Sequence, residues 1–125
     1  MRFDKWFILV SIICLLCGEA LGEWIGAAEA FQYAPIHAHI NLAGWATAAL
    51  FGVMHRLYPE LASARLALPQ FLITVLSLPV FFFGLYKVLT AHEPLFVACG
   101  SLLFMVGTLL FAVMFIGKVL IAKGA

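Results

Sequence analysis

Long apolar runs, each about as long as a bilayer is thick and each bounded by charged or turn-forming residues, fill this 125-residue sequence. A membrane-crossing helix takes roughly 20 mainly apolar residues. Four such runs can be drawn, at about 6–30, 35–57, 69–89 and 91–118, and together they leave no room for a separate soluble domain. Composition agrees: 66% of the residues come from AVILMFWYC and 10% are charged, whereas soluble chains average about 45–50% apolar and about 25% charged. The expected fold is therefore all-α, a single membrane domain over 1–125 built as a bundle of four transmembrane helices. The first run is too long for the apolar core of a signal peptide and is expected to be a span. A net charge of +1 with no clustered basic face gives no reason to expect nucleic acid. Three cysteines do not make a disulfide framework, and Cys14, Cys17 and Cys99 are expected to be small buried apolar groups.

The boundaries come from local chemistry. Pro35 suits a first helical position, where its missing N–H would be unpaired anyway. The stretch Arg56-Leu57-Tyr58-Pro59-Glu60 ends the second run. Pro79 predicts a kink in the third, and Thr90-Ala91-His92-Glu93 has the form of a capping box at the start of the fourth. Trp6 and Trp24 bracket the first span, separated by about 27 Å at ~1.5 Å per residue. If the four helices alternate, Arg2, Lys5, Arg56, Arg65, Lys118 and Lys123 fall on one side and Lys87 near the other. Both termini are then expected to be cytoplasmic.

An ionisable side chain inside a span is costly and marks a candidate functional position. Glu19, Glu23, His37, His39 and His92 gather toward the side opposite the basic end, and His55 is expected to be an interface histidine on the basic side. Residues i and i+2 of an α-helix point about 200° apart, so His37 and His39 face two different partners. Asn41, one turn beyond His37, is a candidate to orient an imidazole. Gly18, Gly22 and Gly26 recur every fourth residue on one face of the first helix, which suits either close helix packing or the approach of a flat cofactor. Lys87 could pair with a carboxylate of a cofactor or snorkel to the headgroups. Glu19 and Glu23 share a helix face and could join His92 on a metal ion, or carry protons.

The stretch His37-Ala38-His39-Ile40-Asn41-Leu42-Ala43-Gly44-Trp45, followed by Ala48-Ala49-Leu50-Phe51-Gly52 and Met54-His55-Arg56-Leu57-Tyr58-Pro59, resembles the tenth helix of haem–copper oxidase subunit I and the related nitric oxide reductases. The resemblance implies that His37 and His39 ligate two different haems, one on each side of the helix. It also implies a homotrimer, because three copies of four helices supply the twelve of that subunit, and a location in a bacterial inner membrane. The further histidines of the copper centre and the tyrosine of its cross-link have no counterparts here. Electron transfer by a b-type haem is therefore expected rather than oxygen or nitric oxide reduction, with a redox protein or a quinone as partner. C-x-x-C-H attachment is absent. Three alternatives remain open: a dimer in which His39 and His92 hold one haem, a copper-binding membrane protein using His37, His39, His92, Glu19 and Glu23, and an assembly subunit with no cofactor.

Overall fold

The computed structural model describes residues 1–122, and these are helical nearly throughout, with no strand among the described residues. Lys123, counted above with the basic side, lies outside the described residues. Three helices are long and apolar enough to cross a membrane. They are α1 (Phe3–Ala28), α5 (Ala67–Ala91) and the run Leu95–Ile121, in which α6 (Leu95–Phe115) continues into π-helix at Ile116–Ile121. The second apolar run is helical over 34–57 without being one regular helix. It reads as α2 (Ala34–His39), a π-helical segment (Ile40–Thr47) and α3 (Ala48–Leu57). A short α4 (Pro59–Ala62) turns the chain toward α5.

Inside the π segment, the Thr47 hydroxyl donates to the carbonyl of Leu42, five residues back, at 2.8 Å. Gly44 shows how closely the segment threads between α1 and α5. A Cβ there would stand 2.8 Å from Cys14 Sγ and 3.1 Å from Phe82 Cζ. π-Helical turns inside α-helices are uncommon and often accompany functional positions, and this one begins directly after His39.

Two local expectations are corrected. Thr90 does not cap the fourth helix: its hydroxyl donates to Tyr86 O at 2.8 Å, inside α5, which runs on to Ala91. His92 then closes α5 in the left-handed region, φ 56°, donating its N–H to Val88 O at 3.2 Å. The fourth run therefore starts at Leu95, with Pro94 at the N-cap, rather than at 91. The hydroxyl already had a carbonyl of its own helix within reach, which removed the incentive to cap the next one. Pro79 lies within α5 without interrupting it.

The core sits at the basic end. Phe7, fully buried, meets Phe71 edge-on at 4.9 Å between ring centroids and Phe51 at 5.7 Å, and Leu61, Met114 and Val119 complete the cluster. α1, α3, α5 and the end of the α6 run all contribute to it. Between α5 and α6, glycine sets the closeness of the contact. A Cβ on Gly84 would collide with the backbone of Val97, one on Gly100 with the backbone of Phe81, and one on Gly107 with Thr74 Oγ1. The α5–α6 pair is thus locked backbone to backbone. In lipid this is how helices hold together, because exclusion of water no longer drives them into contact. On the three long apolar helices, Leu16, Leu76 and Leu102 remain exposed, as a lipid-facing surface requires.

Candidate functional site

α2 is short, but it carries both histidines of the H-x-H motif, and each has its ring oriented by a backbone carbonyl. His37 Nδ1 lies 2.8 Å from Gly18 O across the helix interface, and His39 Nδ1 lies 2.7 Å from Pro35 O, one turn back on its own helix. A carbonyl only accepts, so in both rings Nδ1 carries the proton and donates it. Nε2 of each ring then keeps its lone pair.

The two rings face different neighbours, as their spacing demands. His37 lies in a recess of α1: a Cβ on Gly22 would stand 2.7 Å from its Cε1 and 3.0 Å from its Nδ1. His39 meets Phe81 of α5 edge to face, with centroids 5.3 Å apart and planes at 82°. Asn41 donates its side-chain N–H to His37 O at 3.0 Å. The same amide nitrogen stands 3.4 Å from both nitrogens of the His37 ring. Equal distances put it over the face of the imidazole and off the in-plane direction of the Nε2 lone pair. The Asn41 amide in turn occupies the space above Gly18, where a Cβ would come 2.6 Å from Oδ1. The stripe on α1 is therefore used unequally: Gly18 receives Asn41, Gly22 receives His37, and Gly26 has nothing within 4 Å.

The other candidates do not join this arrangement. Glu19 and Glu23 are exposed on α1, and neither has an ion pair among the described residues. Lys87 pairs with Glu93 at 3.0 Å. His92 is exposed at the end of α5. Among the described residues, no three His, Cys, Asp or Glu side chains gather closely enough to hold a metal ion. The aromatic groups Trp24, Tyr33 and Tyr86 run across this end, at centroid distances of 5.7 and 6.4 Å, and tie α1, the turn before α2 and α5 together.

His55 is buried inside the bundle at the basic end. It is 3% exposed, its Nδ1 donates to Phe51 O at 2.9 Å, and the rings of Phe3, Phe7 and Phe111 surround it at 5.5 to 6.0 Å. The last turn of α3 faces α1, so a position that looked peripheral along the chain is central in the bundle. A row of buried polar groups on α5 also escaped the sequence reading: Gln70, Thr74 and Ser77, with Gln70 Nε2 donating to Thr74 Oγ1 at 3.4 Å and Ser77 Oγ to Thr74 O at 2.7 Å. Their i, i+4, i+7 spacing on one helix face was the available signal. No family model, curated protein or solved structure matches the chain.

Proposed function

We propose that this chain is a membrane-embedded b-type haem protein that transfers electrons, with His37 and His39 as the residues that would hold two different haems. The observation that carries the reading is the placement of the two rings, each with its Nδ1 against a backbone carbonyl. Nδ1 stands 2.8 and 2.7 Å from a carbonyl that can only accept, so Nε2 is the nitrogen left to act as a ligand, and the two rings face different neighbours, α1 and Phe81 of α5. A carbonyl behind the ring fixes its orientation and raises its basicity as a ligand, so these residues fit haem iron. Haem, when bound, supplies a one-electron iron couple, and two imidazole ligands favour electron transfer over gas activation.

The chain's own part is to bind and orient. Gly22 leaves room for the His37 ring, Asn41 packs on its face, and the open surface at Gly26 leaves space for a flat ring system along α1. In this reading the 34–57 segment is the fourth span, and each haem is completed by a histidine from a second copy. A homotrimer in a bacterial inner membrane, exchanging electrons with a redox protein or a quinone, follows from the resemblance to the oxidase core. Lys87 would have to leave Glu93 to meet a haem propionate.

The test is the oxidised and dithionite-reduced absorption spectrum of detergent-purified protein expressed with haem supply, with pyridine haemochrome on the same sample. The expected result is a b-type spectrum lost in both His37→Ala and His39→Ala and kept in His92→Ala. No Soret band in the wild-type protein, or full haem content in either of the first two variants, overturns the reading.

A further inference from the structure

At the basic end, α1 and α3 frame an open cleft of about 580 Å³ beside a tight contact. The contact is set by Gly52, where a Cβ would stand 2.9 Å from Ile8 Cγ1 and 3.0 Å from Asp4 O. Beyond it the walls are aliphatic, formed by Leu9, Ile12, Val53 and Leu57, all of them exposed. The mouth carries Arg2, Lys5 and Arg56. Only one carboxylate is present there, Asp4, and Arg2 holds both of its oxygens, at 3.0 and 2.8 Å. Lys5 and Arg56 have no ion pair of their own among the described residues. Three cations and one carboxylate leave the mouth with a charge of +2.

We propose that this cleft binds an anionic phospholipid, its phosphate between Lys5 and Arg56 and an acyl chain along the aliphatic walls. Charge complementarity selects the occupant. A bilayer offers apolar chains to any such groove, and every phospholipid brings a phosphate, but only an acidic lipid brings a net negative charge, with no ammonium group of its own to offset it, to a mouth of charge +2. Basic recesses between membrane helices recognise acidic headgroups in this way. Cation and groove are separate parts of the recognition: the charges choose the headgroup, and the walls hold the chain. The proposal rests on the cleft, on α1 as a helix able to cross the membrane and on the reading of 34–57 as a span, and is independent of haem.

Native mass spectrometry of the detergent-purified full chain, offered equimolar phosphatidylglycerol and phosphatidylcholine of the same acyl length, reads the preference directly. At about one kcal/mol per basic group near an acidic headgroup, two uncompensated cations give at least about a tenfold preference for phosphatidylglycerol. The double variant Lys5→Gln, Arg56→Gln is expected to bind the two lipids alike. Arg65→Gln, which removes a charge from the same end but outside the cleft, is expected to keep the preference. Val53→Trp fills an exposed wall position and is expected to lower binding of both lipids, with helix content by circular dichroism unchanged. Equal binding of the two lipids by the wild-type protein, an undiminished preference in the double variant, or an equal loss in Arg65→Gln overturns the proposal. So does a disulfide between two copies that forms in Val53→Cys and not in the wild-type chain with its exposed Cys17 and Cys99, which would show that a second chain covers the cleft.

Discussion

Replacing Gly22 by alanine tests the geometry on which the His37 assignment depends. The added methyl would stand 2.7 Å from Cε1 of His37, about 0.7 Å inside the ordinary contact limit of 3.4 Å. The neighbouring atom belongs to a rigid ring on a short helix turn and cannot simply swing aside. Moving the ring away by that amount takes its Nδ1 from 2.8 Å to the far edge of hydrogen-bonding range from Gly18 O. A lost hydrogen bond of this kind costs about 1 kcal/mol, and over-packing adds about 1–3 kcal/mol. Alanine's better helix propensity returns up to about 1 kcal/mol. The net expectation for Gly22→Ala is a destabilisation of roughly 1–3 kcal/mol, together with a loss of whatever the His37 ring binds. Gly26→Ala is the internal comparison, one turn along the same face with nothing within 4 Å, and it is expected to be neutral or slightly stabilising. Thermal unfolding in detergent, followed by circular dichroism alongside haem content, reads both quantities. If the two variants melt together, or if Gly22→Ala is as stable as the wild type, His37 does not sit in the α1 recess and the reasoning fails.

His55→Ala is expected to lose about 2–4 kcal/mol of stability by opening a cavity among three phenylalanines, whereas His55→Phe retains most of it. The reason is that Nε2 of His55 is buried without a hydrogen-bond partner among the described residues, so a ring of similar size removes an unsatisfied group and keeps the packing. Chemical denaturation checks this, and equal losses in the two variants would refute it. Gly84→Ala and Gly100→Ala each drive a methyl into the backbone of the opposing helix and are expected to cost at least about 2 kcal/mol, against no loss for Gly117→Ala, which meets nothing within 4 Å. Retained stability in either variant would show that α5 and α6 are not in backbone contact.

The length and apolarity of three spans were legible in the sequence, because a bilayer imposes a minimum run of apolar residues that few other environments require. The divergence of His37 and His39 was legible too, since i and i+2 on any α-turn cannot face one neighbour. The tertiary structure decided what the spacing left open. Whether the Gly18–Gly22–Gly26 stripe served packing or recess depended on which residues of a second helix came opposite it, and Asn41 and His37 took two of the three positions. Thr90 satisfied every local rule for a cap and still bonded within its own helix, because capping competes with carbonyls that the continuing helix brings within reach. His55 turned from periphery to core once the last turn of α3 packed on α1. Periodicity along one helix fixes which residues share a face. Which face is buried depends on the partner, and that information exists only in the assembled bundle.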